Sequence, residues 1–288
     1  MIQYVFFGLL TGSILALAAS GFALIRQVEG FLNIAHGQFM LIGALIGLGL
    51  MKFGLNVFFA GIFAALIVGL MGMVLSWIVF VPLRGKGHLA QFFSSIGVAF
   101  VLYGLILATW TGSGIKVYPI NFGNSFNFGI LNFTVGEIYV IGVAWISMLF
   151  LHLFLTRTNI GLWIRAIASN TTLAQTRGVN SSFVLYIVWF LSSAFAGLSG
   201  VLVGALGSVH SELGWQYILT ILAVSVMGGV GNLYGVLASG LILGLVMDLS
   251  TFVIPSKYGM VLAFSVIILI LLFRPQGLFS NRRQEIES

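Results

Sequence analysis

Polar residues interrupt this chain seldom, and they divide it into apolar runs of membrane-crossing length. The first run, 4–25, is about 22 residues long and ends at Arg26, Glu29 and Gly30. A polar-interrupted stretch, 31–38, leads into a glycine-spaced run, 39–51. Further runs cover 57–81 (ended by Pro82), 92–110, 137–155, 183–206, 236–254 and 260–273. The run 216–227 is too short for a full crossing, and we expect a half-helix or re-entrant piece there. A β-barrel would instead show alternating segments of about ten residues. The expected fold is therefore an all-α, polytopic transmembrane bundle of about 8–9 spans, one of them short or re-entrant, forming a single domain over 1–288.

Two intervals break this pattern. Residues 111–136 are rich in Gly, Asn, Phe and Thr and alternate at Lys116-Val-Tyr-Pro-Ile and Gly129-Ile-Leu-Asn-Phe-Thr, which predicts a small β-hairpin outside the bilayer. Residues 156–182 carry Arg157, Arg165 and Arg177 and no acid, and they read as two short helices. Asn170 stands at an N-cap position and Gly178 at a C-cap position. Ile160, Trp163, Ile164 and Ile167 give the first of these helices an apolar face. The mix of apolar and small residues (Ile164, Ala166, Ile167, Ala168, Leu173, Ala174) suits docking of a helix into a partner's groove.

Composition confirms the class: 60% of residues are hydrophobic and 6% charged, too few polar groups to cover a soluble domain. The net charge of +6 does not indicate nucleic acid, because the cations are distributed among inter-span loops. Clusters at 84–88, 157–177 and 274–283 all fall on one side if an even number of spans separates each pair, and the runs above satisfy this when 216–227 is counted with them. The positive-inside rule makes that side cytoplasmic, with the N-terminus outside and the C-terminus inside; His210 and Glu212 are then expected outside. The first run lacks a basic leader and cleavage site, so it is expected to be retained as a span. The absence of cysteine excludes disulfide and thiolate chemistry, and the four histidines are not spaced as zinc ligands.

Asn33-Ile-Ala-His-Gly37, Gly161-Leu-Trp-Ile-Arg165-Ala-Ile-Ala, Gly228-Gly-Val-Gly231 and Arg274-Pro-Gln-Gly-Leu-Phe279 occur in this order. On them the chain resembles the integral-membrane permeases of branched-chain amino acid ABC importers (LivH type), over about residues 5–280. The resemblance implies a subunit of a bacterial or archaeal inner membrane. Its partners would be two ABC ATPase subunits, a second permease (a homologous chain or another copy) and a periplasmic or extracellular substrate-binding protein. ATP and Mg2+ would sit on the ATPases and no cofactor on this chain, which has no G-x-x-x-x-G-K-[ST] motif and is not expected to be an enzyme. The substrate would be a branched-chain or hydrophobic amino acid; a related urea or short-amide importer and an ion-driven secondary transporter are the alternatives.

Under that resemblance the basic interval becomes an ATPase-coupling element carried by Arg157, Gly161, Arg165, Ala166, Asn170, Leu173, Ala174, Arg177 and Gly178. Its plainer reading is an ordinary positive-inside loop. Asn33 and His36 lie in a polar break where a transporter could place its path, or where they merely satisfy backbone groups. Ser94, Ser95, Ser192 and Ser193 either line a path or serve close helix packing. Asp248 is the acid farthest inside a span; its place near the outer end suits a structural role, and an ion site is the rival.

Overall fold

The computed structural model describes residues 1–109, 114–120, 125–128, 131–229, 232–252, 255, 258–274 and 277–279. Eleven helices are described: α1 (Ile2–Glu29), α2 (His36–Lys52), α3 (Val57–Leu75), α4 (His88–Thr109), α5 (Val135–Arg157), α6 (Asn159–Ser169), α7 (Thr171–Thr176), α8 (Ser181–Leu206), α9 (Leu213–Gly228), α10 (Leu233–Ser250) and α11 (Gly259–Phe273). Six of the described helices (α1, α3 with its extension, α4, α5, α8 and α10) are long and apolar enough to cross a membrane. Helix α3 runs through a wide turn at Ser76–Phe80 into a tight turn at Val81–Leu83, so Pro82 closes the element as its sequence suggests.

Local chemistry sets the helix starts. Asn56, Asn170, Asn180 and Asn232 each accept a backbone N–H of the first turn, at 2.9–3.1 Å. Thr134 and Glu137 form a reciprocal capping box at α5. Gly30, at φ 77°, ends α1, and its N–H reaches the Arg26 carbonyl. Gly178, at φ 84°, follows the last turn of α7 as expected for a capping glycine.

Helix α1 is the axis of the bundle, buried on all sides through most of 10–25. Lipid tails are as apolar as leucine, so its contacts depend on close backbone approach. Gly8 and Gly12 of α1 meet Leu245, Gly244, Leu241 and Gly240 of α10. Helix α8 is the second axis: Gly197 faces Gly43 of α2, Gly200 faces the Met40 carbonyl, and Gly69 and Gly72 of α3 lie against Phe190 and Ser193. Helix α4 packs little within the chain and leaves Phe93, Phe100, Val101 and Leu105 exposed.

Two small strand pairs lie beyond α4. Ser125–Phe128 (β2) and Leu131–Thr134 (β3) form the hairpin expected within 111–136. Lys116–Val117 (β1) is not part of it; it pairs antiparallel with Ser208–Val209 (β4), the chain just after α8. Alternation marks strand character without naming a partner, and here the nearest free edge belonged to a distant loop. Residues 110–113, 121–124 and 129–130 of that interval lie outside the described residues. Gln3 bonds both the N–H and carbonyl of Asn132, which places the hairpin at the N-terminal end of α1.

Candidate functional site

The chain turns back into the bundle twice. After Gly30 it runs non-helically beside α1 until His36 starts α2. His36 Nε2 donates to the Ala18 carbonyl at 2.9 Å, so α2 begins near the middle of the 28-residue α1. From there its 17 residues, about 25 Å, lead to Lys52, which lies with Thr109 and Lys116 at the hairpin end. The second return is α9. Its Gly214 touches Gly37, and its Ser225 accepts from Arg26 at 3.4 Å near the other end. With 16 residues, about 24 Å, α9 falls short of the roughly 30 Å hydrocarbon core, as the short run 216–227 suggested. Two part-length helices therefore meet N-terminus to N-terminus at mid-height of α1, and Glu212 stands two residues from that meeting point.

The polar break 30–36 is satisfied partly by Asn33 within it and partly by Ser95 of α4. Asn33 Oδ1 accepts the Ala35 N–H, and Ser95 Oγ accepts the Ile34 N–H while lying 3.3 Å from the Leu32 carbonyl. Asn33 and His36 are fully enclosed, with Asn33 Nδ2 and His36 Nδ1 unpartnered. Ser192 and Ser193 are also fully buried, Ser193 against Gly72. Of the six path candidates only Ser94 reaches the surface.

A polar cluster absent from the sequence reading closes the far end of α1. Glu29 is buried and accepts from Arg84 (2.9 Å), Gln91 Nε2 (3.1 Å) and Trp189 Nε1 (3.0 Å). Trp189 stacks on Phe80 at 4.4 Å, and Phe80 on Phe31. One carboxylate thus ties α1, α4, α8 and the turn after α3. The scarcity of acids was the available signal: the chain has six, and Glu29 sits where the first span ends beside a basic loop.

At the same end, α6 and α7 form the basic platform. Ile164 and Ile167 are buried and Ile160 and Trp163 packed against the core, so the apolar stripe of α6 is used by this chain itself. Gly161 and Ala174 are buried too: a Cβ at Gly161 would strike the Leu155 backbone. The expectation that Ile164, Ile167 and Ala174 face a partner's groove is therefore corrected, because amphipathic spacing reveals a face but not who covers it. Arg157, Leu162, Arg165, Asn170, Leu173, Arg177 and Gly178 point outward, and Ala166 is half-buried.

At the same end of the bundle, two sequence motifs meet. The Leu278 N–H donates to the Met227 carbonyl at 2.8 Å, Asn232 Nδ2 donates to the Phe279 carbonyl at 2.6 Å, and Gly277 (φ 92°) lies against Gly229. Val230, Gly231, Pro275, Gln276 and 280–288 lie outside the described residues, as does most of the charged tail. Asp248 is half-buried toward the hairpin end of α10, with Thr11 as its hydrogen-bond partner.

A helical bundle whose broken segments meet at mid-height is the architecture of a multi-pass membrane transport protein. Residues 4–271 match the family described as branched-chain amino acid transport system / permease component, and the chain belongs to that family. It is 30% identical to the high-affinity branched-chain amino acid transport system permease protein LivH of Salmonella typhimurium, over 99% of this chain and 97% of that one. It is 28% identical to the corresponding permease BraD of Pseudomonas aeruginosa, over 97% and 95%. A galactose/methyl galactoside import permease, MglC of Escherichia coli, is 28% identical over 60% of this chain and 52% of its own length. No solved structure matches.

Proposed function

We propose that this chain is the membrane-spanning subunit of an ATP-driven importer of branched-chain or other hydrophobic amino acids. The observation that carries it is the end-to-end similarity to branched-chain amino acid permeases, which includes the basic platform. One of two separate ATPase subunits would seat against α6 and α7, a second permease would complete the pore, and a substrate-binding protein would deliver cargo at the hairpin end. The platform lies at the opposite end from the Gln3–Asn132 contact, which supports a cytoplasmic platform and an outside N-terminus in an inner membrane.

The platform is rooted in the bundle through Gly161, Ile164, Ile167 and Ala174, so force on its outer face would pass into α5, α8 and α1. Transport would proceed by alternating access, with the spans moving as rigid groups. Reconstitution with the partner subunits tests the reading: leucine uptake should require ATP hydrolysis. Uptake that runs undiminished without ATP, or that is lost with Asp248→Asn and follows an ion gradient, would replace the importer with a secondary transporter.

Coupling has its own test. Leu173 is exposed on the platform, so most of its side chain packs against nothing within this chain. Leu173→Asp should leave thermal stability of the isolated subunit unchanged while lowering ATP-dependent uptake about tenfold, equivalent to roughly 1.4 kcal/mol of lost docking. Native uptake by that variant would remove Leu173 from the docking face.

A further inference from the structure

The mid-height meeting of α2 and α9 leaves a second cluster on the outer surface of the chain. Glu212, immediately before α9, is exposed, and a carboxylate oxygen accepts the Tyr103 hydroxyl of α4. Trp215 lies one turn along, with ring centres 5.1 Å from Phe100 and 6.0 Å from Tyr103. His210 Nε2 donates to Gln216 Oε1 at 3.1 Å beside them. Gly104, next to Tyr103, has open space before it: a Cβ there would meet no atom within 4 Å.

The depth of this cluster follows from its neighbours. Glu212 is two residues from Gly214, which touches Gly37 near the middle of α1. Tyr103 lies about two turns beyond Ser95, which is bonded to the loop leading into α2. An acid turned toward hydrocarbon at that depth is strongly disfavoured, so this face does not look onto lipid. It looks onto water or onto protein. The chemistry favours a ligand over a subunit contact: a carboxylate bonded to a tyrosine hydroxyl, whose ring packs with Trp215 and through it with Phe100, is a composition that receives an ammonium group, by ion pairing and cation–π attraction together.

We propose that Glu212, with Phe100, Tyr103 and Trp215 around it, forms a site on the transport path that takes the ammonium group of the substrate. The site rests on the importer reading and narrows it, since an amino acid carries such a group and urea or a short neutral amide does not. A substrate released from its binding protein would meet this carboxylate halfway across, near the junction of the two part-length helices.

The chain contains no cysteine, so single cysteines report cleanly on water access. In membranes holding the complete transporter, Gln216→Cys should react with a trimethylammonium thiol reagent and with a sulfonate reagent of matched length. Adding Glu212→Gln should slow the trimethylammonium reaction about fivefold or more and leave the sulfonate reaction no slower. Glu212→Gln alone should lower leucine uptake about tenfold while the subunits still co-purify. An unreactive Gln216→Cys, equal slowing of both reagents, undiminished uptake, or loss of assembly would each overturn the site, the last by making Glu212 a subunit contact. Failure of the unsubstituted complex to take up leucine with ATP would overturn the importer reading instead.

Discussion

Gly43→Ala is expected to destabilise the protein by about 2–3 kcal/mol, although it adds a single methyl group. A Cβ at Gly43 would fall on the Gly197 Cα, carbonyl carbon and oxygen of α8. Backbone cannot rotate away as a flexible side chain can, so α2 and α8 must separate and lose contacts along their crossing. Gly200, next to Ser199, repeats the arrangement against the Met40 carbonyl. The control is on the same helix: Gly49 has nothing within 4 Å of a Cβ, and Gly49→Ala should be neutral or stabilising by about 0.5–1 kcal/mol. Thermal unfolding of the purified protein in detergent compares the two. Equal midpoints would show that the α2–α8 crossing yields, against the close approach described.

Glu29→Ala is expected to have the larger effect, about 3–5 kcal/mol. It removes the acceptor for three donors at once: the Arg84 guanidinium, the Gln91 amide and the Trp189 indole N–H. Arg84 is partly exposed and regains water, whereas Trp189 and Gln91 are buried and do not. Glu29→Gln keeps a carbonyl oxygen in place and should cost less than half as much. Because Gln91 is one of few anchors of α4, proteolysis at the loop before that helix should accelerate in Glu29→Ala. An unfolding midpoint unchanged from the native protein would mean that the stacked Phe31, Phe80 and Trp189 hold this end without the carboxylate.

These two expectations differ in how visible their causes were. Glycines in apolar runs announce close helix packing, but the pairing of Gly43 with Gly197 depends on the crossing of two helices far apart in the chain. Glu29 read as the polar end of a span, and its three donors come from positions 84, 91 and 189. The serines show the same limit. Ser95 was named beside Ser94 as a path residue, and its hydroxyl bonds the backbone of the break at 32–34. Ser192 and Ser193 fill helix contacts, which the small-residue reading had offered as the alternative.

The platform was legible as to its elements and misread as to its faces. Asn170 and Gly178 bound α7 as their chemistry requires, and the apolar stripe of α6 is real. The stripe is covered by the chain itself, which leaves the basic edge with Leu162 and Leu173 to meet any partner.

The sequence by itself determined what local physics controls. Twenty apolar residues in a row make a helix in lipid because no other backbone arrangement satisfies its own hydrogen bonds there. Asparagine caps, a capping box and left-handed glycines end helices through bonds within a few residues. The short run before Gly228 marked a segment too brief to cross, and the order of motifs carried the family. Only the tertiary structure decided that α2 and α9 begin against each other at mid-height of α1, that Lys116 pairs with Val209, and that Glu212 bonds Tyr103, whose ring meets Trp215. Those are contacts between segments of nearly uniform hydrophobicity, where composition favours no partner over another. Shape at single glycines and the need of each buried polar group for a partner select among them.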